Sequence, residues 1–331
     1  MLTAGQGVCE SLRVATYNVE MNRAGPGLLL RDLQKAGDPQ TAAAVQVVVA
    51  LQADVLVLTG FDYDLDLVAL GAFADRLAEL GLNYPYRFAL RPNTGLASGL
   101  DLDGDGNLGG PGDAQGWGRF SGEGGMAVLS RLPIRTGEVR DFSQVLWRDL
   151  PGALLFDGMT AEAMAVQRLS TTGHWDVPVD LPGGGALHLL AWHATPPVFD
   201  GVEDRNGRRN HDEAAFWGAL LDGALPMAAP EPPFVILGDG NLDPVDGDGL
   251  SDAITALIAH PALQDTGQNA DTADFSARNG PGKLRVDYVL PSADLKVLGA
   301  GVMWPEADDP LAQVFATASR HRPVWLDVAL P

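Results

Sequence analysis

The chain has 331 residues, of which 46% are hydrophobic, so it can bury a sizeable core and is not a disordered tail. Its 43 acidic and 22 basic residues give a formal charge of −21 at pH 7, which disfavours a protein that grips long nucleic acids through a basic surface. The richest apolar stretch, 42–58, is interrupted by Gln46, Gln52 and Asp54, so no membrane-spanning helix and no membrane partner are expected.

Short apolar runs typical of β-strands recur along the whole chain. They cover 12–17, 54–58, 86–90, 126–129, 186–192, 234–237, 284–290 and 323–330. Helical spacing appears over 40–51, 65–80 and 210–221. The pair Asp38-Pro39 marks the start of the first helix, and Gly81 marks the end of the second. Because strands and helices are mixed and no low-complexity linker separates them, the sequence predicts one α/β domain over 12–331, with sheets in its core.

The segment 91–125 is rich in glycine and aspartate and is too long for an ordinary connection, so we expect an inserted functional loop. Three of its aspartates occupy alternate positions: Asp101, Asp103 and Asp105. With Gly106 after them, they resemble the first half of an EF-hand loop, which favours a calcium site over a solvated acidic loop. Position twelve is Gly112 instead of glutamate, so a carboxylate from elsewhere, such as Asp113, would have to complete the site.

The compartment is only weakly indicated by the sequence. The single cysteine, Cys9, excludes an intrachain disulfide and a cysteine-based zinc site without revealing the redox environment. Residues 1–10 lack the charged and apolar regions of a signal peptide. A calcium loop suits a periplasmic or secreted protein, so we expect that location, with a cytoplasmic one still open.

Polar side chains stand at the ends of several predicted strands, where they could meet at one rim. They are Asn18 and Glu20 after the first strand, His193, Asp239 and Asn241, Asp287, and Arg320 with His321.

In this order the segments resemble the endonuclease/exonuclease/phosphatase superfamily, which has the deoxyribonuclease-I-like fold. The resemblance rests on Tyr-Asn18, the Gly-Met-Ala-Val-Leu-Ser strand at 125–130, His193-Ala-Thr-Pro, Gly-Asp239-Gly-Asn241, Asp287-Tyr and Ser-Arg-His321. It implies a four-layered α/β sandwich, in which two stacked mixed β-sheets are flanked by helices and the site lies at one edge. It also implies hydrolysis of phosphate esters assisted by Mg²⁺, Mn²⁺ or Ca²⁺.

The resemblance implies roles for these residues. Asp239 would orient or deprotonate the attacking water, and Asn241 would hold a phosphoryl oxygen or a metal ion. Asn18 would donate a hydrogen bond to the charge that develops in the transition state. His321, held by Asp287, would stabilise or protonate the phosphoryl group.

His193 matches a second catalytic histidine, for which Glu123 is the best local partner.

Two positions depart from the family pattern. Gly60 stands where the family has a metal-binding glutamate, and Arg320 stands where it has an aspartate. Our preferred hypothesis is a rearranged metal site built from Glu20, Asp62 and Asp239. The alternative is that Arg320 occupies the vacated cation position and clamps phosphate.

The cluster 200–213 contains three arginines just past the strand that ends at His193. It is either the polar start of a helix or a substrate clamp that includes Arg209, and the sequence favours neither.

Taken together, the sequence predicts a divalent-metal-dependent phosphoesterase that acts on small phosphodiesters or organophosphate di- or triesters, with one chain acting alone as a monomer. A nuclease of the deoxyribonuclease type is the alternative within the enzymes, and the acidic charge disfavours it. The alternative of another class is a non-catalytic member of the fold that binds calcium.

Overall fold

A computed structural model describes residues 11–35, 37–266, 270–277 and 280–330. Within these residues the strands, in chain order, are β1 (Ser11–Met21), β2 (Val55–Phe61), β3 (Tyr86–Phe88), β4 (Gly125–Ser130), β5 (Arg140–Asp141), β6 (Gly173–Asp180), β7 (Ala186–His193), β8 (Phe234–Asp239), β9 (Ala273–Asp274), β10 (Lys283–Leu284), β11 (Asp287–Pro291), β12 (Val297–Val302) and β13 (Val324–Ala329). The α-helices are α1 (Leu28–Gln34), α2 (Pro39–Leu51), α3 (Val68–Glu79), α4 (Ala161–Val166), α5 (Arg205–Leu221), α6 (Asp252–Ile258) and α7 (Ala312–Ala318).

The longer strands form two sheets. One has six strands in the order β12-β13-β1-β2-β4-β3, and the other has five in the order β11-β8-β7-β6-β5. The pairs β1–β2 and β7–β8 are parallel, and the other pairs in these sheets are antiparallel, so both sheets are mixed. We call them the first and the second sheet.

Burial of apolar side chains explains the layers. A cluster that includes Val14, Val57, Val177, Leu189 and Leu237 lies between the two sheets and draws residues from both. A second cluster packs α2, α3 and α7 on the outer face of the first sheet, and a third packs α5 and α6 on the outer face of the second. The order helix, sheet, sheet, helix confirms the predicted α/β sandwich.

The predicted elements are found with some shifts. Asp38 caps α2 by accepting a hydrogen bond from Thr41 N at 2.8 Å, as expected from the Asp-Pro pair. The predicted helix 65–80 is a 3-10 turn followed by α3, and the one predicted to begin at 210 begins at Arg205. The predicted strand 284–290 is divided, because Lys283–Leu284 pairs with β9 whereas Asp287–Pro291 pairs with β8.

The predicted inserted loop, 91–125, joins β3 to β4 and holds two isolated bridges and a short 3-10 turn, Pro111–Asp113. Residue 331, the last of the predicted domain, lies outside the described residues. No helix in the described part of the chain is long and apolar enough to cross a bilayer.

Candidate active site

Three strands of the second sheet bring three predicted site residues side by side. In the pairing register, Asp239 at the end of β8 lies opposite His193 of β7 and opposite Asp287 of β11. Directly paired residues project to the same face of a sheet, so these side chains form one row. His193 Nε2 lies 3.6 Å from Asp239 Oδ2.

Asp239 links this row to the first sheet. Asn18, on β1, donates from Nδ2 to Asp239 Oδ2 at 2.7 Å, and Asn241 N donates to Asp239 Oδ1 at 2.8 Å. Asn241 itself anchors the turn, since its Nδ2 donates to Ala194 O at 2.9 Å. The two sheets therefore meet at the Asp239 carboxylate, which is fully buried.

His321 completes the cluster from the turn before β13. Its Nδ1 lies 2.9 Å from Asp287 Oδ2 and 3.9 Å from Asp239 Oδ2, and the edge of Phe275 packs on its ring. Burial, with the nearby charge of Asp287, raises the pKa of Asp239 to about 7. Burial alone would lower the pKa of His321, but the two carboxylates outweigh it and raise that pKa to about 9. At neutral pH the cluster holds an imidazolium beside a carboxylate that can readily take a proton.

His193 has the opposite electrostatic character. Burial, and then the charge of His321, lower its pKa to about 3, so its ring is neutral. The expected partner, Glu123, does not orient it: both Glu123 oxygens accept hydrogen bonds from Arg119, through its backbone N and its guanidinium. The proposed pairing of His193 with Glu123 is therefore not formed.

Gly60 occupies a position that no glutamate can take without rearrangement. Its φ is +65°, in the left-handed region, and a Cβ on this backbone would lie 2.4 Å from Asn18 Oδ1. The pairing of β1 with β2 shifts register at this place, between Asn18 and Met21. The backbone at Gly60 therefore leaves no room for a side chain beside the Asn18 amide, which contacts Asp239.

Arg320 forms an ion pair with Glu20. Its backbone N and its Nε each donate to the Glu20 carboxylate at 2.7 Å, and its Nη2 donates as well. The guanidinium also lies over the Phe275 ring, 5.1 Å from the ring centre. Burial would raise the pKa of Glu20, but the hydrogen bonds from Arg320 outweigh it and lower that pKa. Glu20 is therefore ionised and already neutralised by a cation of the chain.

The rearranged metal site is not assembled. Asp62 accepts hydrogen bonds from Gly124 N at 2.9 Å and from Arg23 N at 2.8 Å, one on each oxygen. Burial raises its pKa to about 6. With Glu20 held by Arg320, the trio of Glu20, Asp62 and Asp239 does not come together, because the first two carboxylates serve local structure.

A different cluster offers metal ligands at the same rim. Asp239, Asp287 and His321 each provide a ligand atom within 4.8 Å of the others. In the part of the chain that the structure describes, Asp287 Oδ1 is buried without a hydrogen-bond partner, so a cation beside it would satisfy this acceptor. Carboxylate oxygens are also the donors that Mg²⁺, Mn²⁺ and Ca²⁺ prefer. The two carboxylates therefore fit a divalent ion here, whereas His321 would act as a ligand only as the neutral imidazole.

Arg209 does not face the site. It is buried, with 5% of its surface exposed, and its guanidinium donates to the carbonyl oxygens of Gln115, Arg168, Leu169 and Ser170. The substrate-clamp interpretation of Arg209 is therefore corrected: the side chain ties α5 to the neighbouring loops.

The acidic loop is ordered by its own backbone. Asp101 accepts from Gly104 N and Gly106 N, at 2.7 and 2.9 Å, and the carboxylates of Asp101, Asp103 and Asp105 lie exposed within 4.8 Å of one another. Asp113 does not join them, since it is buried and accepts from Leu102 N and Gly110 N.

Two positioning residues were not assigned from the sequence. Ser319 Oγ donates to Asn18 O at 2.7 Å and accepts from His321 N at 3.0 Å, which fixes the His321 turn to β1. Thr272 Oγ1 accepts from Asp287 N at 2.9 Å. The serine just before Arg320 was a usable signal, whereas nothing near Thr272 in the sequence marks it.

Comparisons with known proteins agree with this geometry. A family model described as "Endonuclease/Exonuclease/phosphatase family" matches residues 15–321. A search of curated proteins finds no match.

Solved structures share the fold at low sequence identity. An endonuclease/exonuclease/phosphatase from Beutenbergia cavernae DSM 12333 is 21% identical, with a TM-score of 0.58 over 97% of this chain and 72% of that chain. Sphingomyelinase C from Streptomyces griseocarneus is 19% identical, with a TM-score of 0.51 over 96% and 99%. The mannosyl-6-phosphatase Bt3783 from Bacteroides thetaiotaomicron VPI-5482 is 14% identical, with a TM-score of 0.54 over 96% and 99%.

Proposed function

Because the chain belongs to the endonuclease/exonuclease/phosphatase family, we propose that it hydrolyses phosphodiesters, including small organophosphate di- or triesters. One observation carries the proposal. Asp239 and His321 are buried side by side, 3.9 Å apart, with pKa values of about 7 and about 9. A base that is half ionised near neutrality, next to a stable imidazolium, is suited to in-line attack of water on a phosphate ester.

The proposed roles follow from the contacts. Asp239 accepts a proton from the attacking water, while the amide of Asn18 holds the carboxylate in place. His321, fixed by Asp287, places positive charge near the phosphoryl oxygens. Asn241 lies beside Asp239 at the rim, where its side chain reaches the phosphoryl group.

A divalent ion is part of the proposal. Held by Asp239, with Asn241 beside it, Mg²⁺, Mn²⁺ or Ca²⁺ would add positive charge where negative charge develops on the phosphoryl oxygens. Neutral His193 is placed to donate or accept one hydrogen bond on the same face as Asp239.

Arg320 is the substrate-binding residue of the proposal. Its Nε and Nη2 face Glu20, and it keeps Nη1 for a phosphoryl oxygen. The guanidinium is held between a carboxylate and the Phe275 ring, so little side-chain freedom is lost when it binds.

The charge of the chain supports a small substrate. At −21, it repels long polyanions, so a nuclease of the deoxyribonuclease type is the less favoured enzyme. We further propose that the protein acts as a monomer and that it is periplasmic or secreted.

The test is hydrolysis of bis(p-nitrophenyl) phosphate, and of a matching triester, by metal-stripped protein titrated with Ca²⁺, Mg²⁺ and Mn²⁺. We expect a divalent ion to restore hydrolysis, and Asp239→Asn to lower the rate about 10²- to 10⁴-fold. Asp248→Asn is the matched control, because Asp248 is exposed on the loop after β8. If both variants hydrolyse the diester at the same rate, the role of Asp239 is wrong.

A second candidate function has its own supporting observation. The Glu20–Arg320 ion pair and the backbone at Gly60 favour a non-catalytic member of the fold, since both remove carboxylates from the rim. In that case no ion restores hydrolysis.

Calcium binding by the loop of Asp101, Asp103 and Asp105 is proposed separately. In the wild type, Ca²⁺ should then raise the melting temperature more than Mg²⁺ does, and Asp103→Asn should remove that difference.

A further inference from the structure

A groove lies next to the candidate active site, on the other side of the turn that carries His321. It encloses about 660 Å³ and runs between the end of β12, α7 and the strand β10. Lys283, Trp304 and Arg322 form its polar wall, and Phe315 lies at its apolar side. We call it the Lys283–Arg322 pocket.

Arg322 is held as part of this wall. Only 7% of its surface is exposed, and its Nη1 donates to the carbonyl oxygens of Ser319, Arg320 and His321 at 2.9 to 3.3 Å. No carboxylate of the described residues lies within 4.0 Å of its guanidinium, and Nε is buried without a partner there. Asp274 and Glu20 act on Arg322 only from beyond ion-pair distance, and burial still lowers its pKa. A nearly buried cation without a carboxylate in contact is costly, because burial removes its hydration.

Lys283 adds a second cation at the same place. Its Nζ lies 4.6 Å from the centre of the Trp304 ring, and Arg322 Cζ lies 4.7 Å from it. Both positive groups therefore contact the same ring, although like charges repel. Lys283 is also one of only three lysines in the chain. Among the described residues no carboxylate lies within 4.0 Å of Lys283 Nζ. Asp274 lies opposite Lys283 in the pairing of β9 with β10, and the exposed Asp271 and Glu306 also line the groove.

We propose that the Lys283–Arg322 pocket binds an anionic group, a phosphate or a carboxylate. An anion in the groove would accept a hydrogen bond from Lys283 Nζ, and its charge would compensate that of the buried Arg322 guanidinium. The carbonyls that Arg322 binds belong to Ser319, Arg320 and His321, so the pocket and the candidate active site share one turn of chain. The anion is either a second charged group of the substrate or a separate small anion. The first case rests on the proposed function, because it makes the substrate a phosphodiester with an additional negative group.

The first experiment needs no catalysis. Binding of inorganic phosphate to the full chain is measured by isothermal titration calorimetry for the wild type, Lys283→Gln and Lys296→Gln. Lys283 and Lys296 are both exposed, so the two variants lose the same charge with little risk to folding. We expect the affinity to fall about tenfold in Lys283→Gln, the cost of one charge-assisted hydrogen bond, and to stay unchanged in Lys296→Gln.

The second experiment identifies the source of the anion. KM is compared for two p-nitrophenyl phosphodiesters, one of which carries a carboxylate on its other arm. If the anion belongs to the substrate, Lys283→Gln should raise the ratio of the two KM values about tenfold, and Lys296→Gln should not. Weaker phosphate binding with an unchanged ratio indicates a separate anion. Equal phosphate affinity in all three proteins overturns the proposal, whether or not the diesters are hydrolysed.

Discussion

The ends of the two sheets face each other across the candidate active site, and their carboxylates are stabilised in different ways. At the end of the second sheet, Asp239 and Asp287 are buried together beside His321. Burial and the charge of Asp287 raise the pKa of Asp239 to about 7, although the His321 cation acts in the opposite direction. At the end of the first sheet, Glu20 is neutralised by Arg320, and Asp62 is held by two backbone amides.

This difference indicates which half carries the chemistry. A strongly shifted pKa in a buried group next to another charge is typical of an active site. A carboxylate whose oxygens are all bound by neighbouring donors is typical of a structural residue. We infer that the second sheet supplies the reactive groups, and that the first sheet supplies positioning through Asn18 and positive charge through Arg320.

Removing Arg320 should have the largest effect on the first-sheet half. In Arg320→Gln, Glu20 loses its cationic partner, its charge acts on the nearby His321, and the proposed phosphate contact is lost. At a limiting concentration of Mg²⁺, hydrolysis should fall about tenfold or more relative to the wild type, the cost of a charged hydrogen bond. Saturating Mg²⁺ should restore part of the rate, because the freed carboxylate attracts a cation.

The double variant Glu20→Gln/Arg320→Gln is the control, and Mg²⁺ should not restore it. Were Arg320→Gln to hydrolyse diesters at the wild-type rate with an unchanged Mg²⁺ response, Arg320 would not be the compensating cation of this half.

Replacing Gly60 should have the next largest effect, on both stability and rate. Gly60→Ala places a methyl group against Asn18 Oδ1 and adds left-handed strain, so it should lower the free energy of unfolding by about 1 to 3 kcal/mol. Asn18 should also move from Asp239, which lowers the rate. Gly27→Ala is the matched control, because Gly27 has a φ of +74° and open space where its Cβ would lie. Urea denaturation that finds equal losses in both variants contradicts the role of the Asn18 contact.

Asp62 should have the smallest effect on catalysis. We expect the rate and metal dependence of Asp62→Asn to stay within about twofold of the wild type, since backbone amides occupy its carboxylate. A change in metal dependence would instead restore the rearranged-site hypothesis.

The stability of Asp62→Asn should depend on pH. The carboxyl has a pKa of about 6 in the folded chain, above its ordinary 3.8, so the folded state retains the proton longer than the unfolded one. The stabilising contribution of Asp62 is therefore complete below pH 3.8 and is lost as the pH rises through 6. Asparagine has no carboxyl proton to lose, so its free energy of unfolding should not fall for this reason. Between pH 3.8 and 6 the stability of the variant should therefore rise relative to that of the wild type, as measured by denaturant midpoints.

The sequence predicted the second-sheet half more successfully than the first. Asp239 ends the apolar strand β8, and Asp287 begins the antiparallel strand β11 beside it, so the two lie at one edge of the sheet. Their positions next to apolar strand segments were visible in the sequence. The contacts of Asp62 come from the backbone amides of Arg23 and Gly124, 39 and 62 residues away in the sequence. A hydrophobic pattern along the sequence does not indicate contacts with such distant backbone amides. Asp62 was therefore expected to bind a metal ion.

Arg209 illustrates the same limit. An arginine one residue from Arg208 and four from Arg205 is compatible with a phosphate clamp or with a buried anchor, and only the carbonyl oxygens around it decide. Gly60 shows a different limit, since the sequence does not reveal that the pairing of β1 with β2 shifts register beside it.

The pairing of β1 with β13 has a consequence for how the site comes into being during synthesis. Ser319 and Arg320 contact Asn18 and Glu20 across about 300 positions of chain. A nascent chain that already contains β1, β7 and β8 still lacks His321 and the arginine that neutralises Glu20. Contacts so distant in sequence form late, because the intervening chain must first fold and bring them together. His321, the cation of the cluster, is therefore added last. Until then, a ribosome-bound chain contains Asp239 without its cationic neighbour.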